Sequence, residues 1–235
     1  MFNTFIFRES ADNIHLTVEE KRDLEILLRA LHDAPSWRNG LLSLDSIGRH
    51  VVLSDKRKTY LELFAERKLL PDKEEDWDEE MVKVIQSFRV LGEYQNGIII
   101  LYINNIKETA NETSAPGFYD LPYLTVTRYV YLHELMHEYF ERKENEGYKY
   151  NREQEEAFAE FGALLLLGRL VKTNHRINHA SKEELEWAIR HVEGKRGALE
   201  CYSRGAGLFR RFGQDEKLAG EMLAAYPKLS FPDLV

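Results

Sequence analysis

The chain carries a single cysteine, Cys201, among its 235 residues. One thiol excludes an internal disulfide, so the fold must rest on its own core. Cys201 falls in a helical pattern, where a small half-buried side chain is a simpler reading than a nucleophile. Long apolar runs are missing too, and none approaches the about 18 residues that a membrane-crossing helix needs. There is no block of basic residues either. With 40 acidic residues against 32 lysines and arginines the net charge is −8, which argues against direct nucleic-acid binding. The first residues, MFNTFIFRES, form an apolar hexad with no cationic stretch before it, so no secretory leader is expected. These absences together lead us to expect a cytoplasmic protein with no membrane partner.

What remains is a globular composition, 43% hydrophobic and 31% charged. The length suits one domain. The periodicities predict an α+β chain, predominantly helical, with a mainly helical part over residues 1–87 and the chemistry-bearing core over 88–235.

The core is organised around His133-Glu134-Leu135-Met136-His137, an H-E-x-x-H pattern. Residues 124–141 read as a helix without glycine or proline, with Val126, Tyr129, Val130, His133, Met136, His137 and Phe140 along one face. Residues four apart stand one turn apart on one face. Two imidazoles so placed can hold one metal ion, and the intervening Glu134 can take a proton from a metal-bound water. Two buried histidines with no partner would be costly to desolvate.

A second helix is predicted from about Arg152 to Val171. It opens on Glu153, Glu155 and Glu156, followed by Glu160. Favourable charge at a helix start accounts for Glu153. Glu156 and Glu160 run into an apolar segment, with Ala159 and Ala163 beside them as small residues for close approach. A catalytic zinc site keeps three protein ligands and one open position. Spacing and its one-turn pairing with Glu160 favour Glu156 as the third ligand, with Glu155 and Glu160 as rivals.

The motif, an eighteen-residue spacer and then Glu-Ala-Phe-Ala-Glu-Phe resemble the zinc metallopeptidases of the zincin type, in their gluzincin form. Glu-Glu-Ala-Phe-Ala-Glu-Phe-Gly-Ala-Leu-Leu is similar to the second signature of small cytosolic bacterial peptidases of the ImmA/IrrE type. The resemblance implies His133, His137 and Glu156 as Zn²⁺ ligands, Glu134 as general base, and Glu160 as a carboxylate that orients a ligand histidine. It also implies a small sheet against the histidine helix, drawn partly from residues 89–103. The edge strand of that sheet would pair with a protein or peptide substrate.

Elsewhere the signals are local. Thr17 to Glu20 and Ser181 to Glu184 are capping boxes. Leu24, Leu27, Leu28 and Leu31 stripe the first helix. Strands are expected at 2–7 and 49–54. Asp55 is expected to cap a helix to about Lys68 that buries Tyr60, Leu61, Phe64 and Ala65, and another helix is expected over 77–88. Asn96-Gly97 between β-prone runs predicts a hairpin. Residues 104–123 read as a long loop, and Asp215 starts a last helix. His175 and His179 repeat the four-residue spacing without a glutamate and read as loop residues. Tyr148, His179, His191 and Tyr202 are all available as donors to a developing oxyanion.

The expected function is zinc-dependent peptide-bond hydrolysis. The alternatives are a regulatory protein-binding module that keeps the zincin fold, and a structural metal site. A structural site would need a fourth protein ligand, which no nearby residue supplies.

Overall fold

A cross-strand register places the sheet against the histidine helix. Gly92 pairs with Leu101, and a side chain at Gly92 would run into Val130 and Glu134 of that helix. Paired residues point to the same side of a sheet, so the Leu101 and Ile99 side faces the helix, and both residues are fully buried.

The computed structural model describes residues 6–9, 16–33, 50–66, 79, 89–112, 122–145, 151–172, 180–195 and 200–225. Four strands form one mixed sheet: β1 (Ile6–Glu9), β2 (His50–Ser54), β3 (Gly92–Gln95) and β4 (Ile98–Tyr102). Their order is β1-β2-β4-β3, with β1, β2 and β4 parallel and β3 antiparallel to β4 at one edge. The hairpin forms as its sequence predicts. Asn96 and Gly97 take positive φ of 47° and 81°, as a two-residue turn matched to strand twist requires. β4 lies inside the sheet, as its unbroken Ile98-Ile99-Ile100-Leu101 run predicts.

Eight helices accompany the sheet among the described residues: α1 (Val18–Asp33), α2 (Tyr60–Glu66), α3 (Ile103–Glu112), α4 (Pro122–Asn145), α5 (Arg152–Lys172), α6 (Lys182–Glu193), α7 (Glu200–Phe212) and α8 (Glu216–Ala225). The chain is thus α+β and predominantly helical. Among the described residues no helix is long and apolar enough to cross a membrane. Both predicted capping boxes are present. Thr17 and Glu20 exchange backbone bonds of 2.7 and 3.1 Å, and Ser181 and Glu184 do so at 2.6 and 3.1 Å. The stripe of α1, with Leu24, Leu28 and Leu31 fully buried, is as predicted.

Two expectations need correction. Residues 103–112 are helix α3 and not the start of a long loop. Ile103, Ile106 and Ala110 are its buried apolar face. The polar Asn105 between them made the period hard to see. Its amide is buried and donates to Lys58 O (2.7 Å) and Val90 O (2.8 Å), tying the helix to the sheet. The helix expected from Asp55 starts at Tyr60, because Thr59 forms the capping box with Glu62. That later start buries Tyr60 and Leu63, leaving Leu61 and Ala65 exposed. The strands expected at 2–7 and 49–54 correspond to β1 and β2. Except for Glu79, the predicted helix over 77–88 lies outside the described residues, as do Tyr148, His175 and His179.

The tightest helix contact joins α5 to α7. A Cβ at Gly205 would stand 2.4 Å from Ala157 O and 2.5 Å from Glu160 Cβ. Gly205→Ala is therefore expected to cost about 1–3 kcal/mol by overpacking. Chemical denaturation would read this as a lower midpoint at unchanged slope. α4 approaches α5 in the same way, Gly162 lying against Met136, with Ala159 and Ala163 fully buried as their size predicts.

Candidate metal centre and cleft

α4 and α5 bring three donor atoms together. Proline at the first position of α4 suits a helix start, where the missing N–H costs nothing. Asn151 caps α5 by accepting from the Glu153 N–H at 2.9 Å. The two helices lie side by side, and their facing turns carry His133, His137 and Glu156.

His133 Nε2 and His137 Nε2 are 3.2 Å apart, and each lies 3.4 Å from Glu156 Oε2. These three residues form the one group of potential metal donors among the described residues. A tetrahedral ion with bonds of ~2.0–2.1 Å has edges of about 3.3–3.4 Å, so the triangle fits such an ion. Glu156 Oε2 is buried, with the two imidazole nitrogens at 3.4 Å and no aligned hydrogen bond, so its charge is met by the rings or by an ion between them.

The rival glutamates occupy the far sides of the rings. Glu155 Oε1 sits 2.7 Å from His137 Nδ1, and Glu160 Oε2 lies 3.3 Å from His133 Nδ1. A carboxylate at Nδ1 favours the tautomer that keeps its proton there and leaves the Nε2 lone pair facing inward. Glu160 is fully buried and is itself held by the Tyr129 hydroxyl, 2.6 Å from both carboxylate oxygens. Tyr129 lies one turn before His133, so one face of α4 supplies both the ring and the clamp on its partner.

Charge in the cluster is balanced internally. Burial alone would lower the pKa of His133, but Glu156 and Glu160 outweigh it and raise the value to about 9. Burial is likewise outweighed at His137, which Glu156 and Glu155 hold well above the usual imidazole range. Burial would raise the pKa of Glu156, yet the two imidazoles keep it well below the usual carboxylate range. An ionised carboxylate between two rings is a donor set that a divalent cation can take over.

Two clefts meet at Glu93, Glu134, His137 and Glu156. One, of about 200 Å³, extends past Gly92 and Tyr202 to His191 and Lys195. The other is lined by Glu66, Gln95, Arg152 and Glu155. Glu134 is 6% exposed, and its side chain lies against the backbone of β3, where a Cβ at Gly92 would fall 2.9 Å from its Oε1. Glu93, beside it on β3, is buried and ion-paired with Lys58 at 2.7 Å, and it accepts from Tyr102 OH (2.9 Å) and Gln95 Nε2 (2.6 Å). Of the available oxyanion donors, His191 and Tyr202 line the cleft. Tyr202 stacks on His133 with centroids 5.7 Å apart and hydrogen-bonds to Tyr60.

Sequence reasoning missed Gly92, Tyr129, Glu93 and Lys195. Tyr129 was legible as the residue one turn before the motif. The other three depend on how β3 and the end of α6 meet α4, which no local pattern encodes. Comparison of the chain with protein-family models, with curated proteins and with solved structures returned no match.

Proposed function

We propose that this chain is a zinc-dependent hydrolase of peptide bonds with a zincin-like arrangement of helix and sheet. The observation that carries this reading is the triangle of His133 Nε2, His137 Nε2 and Glu156 Oε2, whose edges of 3.2, 3.4 and 3.4 Å match a tetrahedral ion. Two imidazoles and one carboxylate suit Zn²⁺, and three protein donors leave the open position that catalytic sites keep. When bound, zinc acidifies a water and polarises a carbonyl.

The chain's own groups supply the rest. Glu134 stands on the helix that carries both imidazoles and in the cleft at the donor cluster. From there its carboxylate accepts the water proton and returns it to the leaving nitrogen. β3 is the sheet edge next to Glu134. An extended protein or peptide substrate adds there through main-chain hydrogen bonds, which bring the scissile carbonyl to the donor cluster without demanding a sequence. Glu155 and Glu160 hold the imidazole rings in place. The single cysteine and net charge of −8 agree with action on proteins in the cytoplasm and with no direct contact to nucleic acid.

Metal content per chain tests the site. The wild type, purified without chelator, is expected to hold about one zinc. Glu156→Ala is expected to lose it. Glu155→Ala and Glu160→Ala are expected to keep the site but bind roughly 10–100-fold more weakly. A folded wild type that takes up no metal when zinc is supplied would overturn the reading.

A further inference from the structure

Lys195 follows the C-terminal turn of α6 and is 8% exposed, yet it lines the cleft that holds His133, Glu134 and Glu156. Its ammonium lies 4.2 Å from the centroid of the Tyr202 ring. That ring in turn stacks on His133, with centroids 5.7 Å apart and planes inclined by 23°. The cation is therefore one aromatic layer removed from a donor ring. The path is no more than about three residues of extended chain, at roughly 3.5 Å each. Beside it, His191 stacks on Trp187. Burial and the nearby Lys195 depress its pKa to about 3, so His191 adds a neutral polar edge and no competing charge.

The second cleft has the opposite character. Apart from the residues the two clefts share, Glu66 and Glu155 line it with Arg152, whereas Glu112 lines the first with Arg89 and Lys195. Beyond the shared residues the two arms that meet at Glu134 thus differ in balance, one with two cations to a single carboxylate and the other with two carboxylates to a single cation. A buried lysine is costly to desolvate. Burial lowers the Lys195 pKa, although Glu160 and Glu156 draw it upward. A cation that lines a cleft suits an incoming anion, since a charge-assisted bond in a desolvated site is about twice as strong as a neutral one.

We infer that Lys195, with the edge of His191 beside it, is a specificity-determining group that binds a carboxylate of the substrate and directs it to one side of the scissile bond. The inference rests on the hydrolase reading above. The carboxylate has two sources, the main-chain terminus of a peptide or the side chain of an aspartate or glutamate. The excess of carboxylate in the other arm, Glu66 and Glu155 against Arg152, disfavours a further carboxylate there and so sets which way the peptide lies.

The test uses the zinc-loaded full chain and two probes, the monohydroxamate of succinic acid and the same compound with a carboxamide in place of the carboxylate. Calorimetric titration of the wild type is expected to show the carboxylate probe binding about tenfold or more tightly, the equivalent of one charge-assisted bond. Lys195→Met is expected to abolish that preference while the chain stays folded and its zinc content stays as in the wild type, and Lys195→Arg is expected to retain it. Equal binding of the two probes to the wild type, or a preference that survives in Lys195→Met, would overturn the inference and leave the hydrolase reading standing. A chain that holds no zinc would overturn both. Two peptide hydroxamates then separate the sources, one ending in a free carboxylate and the other amidated with an internal glutamate. Preference for the first assigns action near a chain terminus, and preference for the second assigns acidic side-chain specificity. Preference for neither, measured against neutral controls, refutes the inference.

Discussion

Glu134→Gln is expected to lower peptide hydrolysis by about 10²–10⁴-fold while leaving zinc content unchanged. Glutamine keeps the shape of the side chain, which matters because Glu134 is buried against Val130 and the backbone at Gly92. It loses only the capacity to accept a proton. The donor triangle does not include Glu134, so metal binding is untouched. Turnover of a quenched fluorescent peptide, read beside elemental analysis, checks both halves. Full activity in Glu134→Gln would remove Glu134 as the base even if the zinc is present. Gly92→Ala offers a graded companion. Its Cβ would crowd Glu134 Oε1 at 2.9 Å and Val130 Cγ1 at 2.5 Å, so it is expected to slow turnover by displacing the base, again with zinc retained.

Lys58→Met is expected to be the most destabilising substitution among the charged residues, by about 3–5 kcal/mol. Lys58 is 7% exposed and Glu93 2%, and removing the ammonium strands a buried carboxylate next to the cleft. The double variant Lys58→Met/Glu93→Leu is expected to recover much of the loss, because no uncompensated charge then remains. The pH dependence has a definite sign. Burial would raise the pKa of Glu93, but Lys58, Gln95 and Tyr102 together hold it below the ordinary carboxylate value of 4.5. In the wild type the contribution of this group is present above pH 4.5 and is lost as pH falls through the depressed value. In Lys58→Met the stranded carboxylate gains by taking a proton, so the deficit is expected to shrink toward acid pH. Denaturant midpoints of the two proteins across pH 4–7 would show this, and a deficit that is constant over the range would dismiss the pair as its cause.

The parts of the fold that sequence made plain are those encoded within one or two turns. The capping boxes at Thr17 and Ser181, the Asn96-Gly97 turn and the stripe of α1 each depend on residues no more than a few positions apart. The donor triad was legible for a similar reason, since helical geometry puts His133 beside His137, and Ala159 and Ala163 mark the face that α5 turns inward. The rest was settled by partners far along the chain. α3 hid because Asn105 is a buried polar residue whose bonds go to Lys58 and Val90. Spacing favoured Glu156 among the rival glutamates, but the places of Glu155 and Glu160 at the Nδ1 atoms of the two rings depend on how the second helix packs. Gly92 has no signature of its own, and its role appears only when β3 lies against Val130 and Glu134.

The helix that carries the histidines is also the lid of the sheet, and this bears on how the chain is made. All four strands among the described residues lie within residues 6–102, whereas α4 begins at Pro122. During synthesis the sheet is thus complete in sequence before its cover leaves the ribosome, and domains form from the N-terminal side. In that interval Ile99 and Leu101 face water on a sheet whose long-range parallel pairings are slow to form. A fragment ending at residue 121 is therefore expected to aggregate, and one extended through residue 145 gains the helix that covers the sheet. Solubility of the growing chain and assembly of the candidate metal centre depend on the same 24 residues. A lesion in the apolar face of α4 would first be noticed as lost yield, before any assay of the centre could be run.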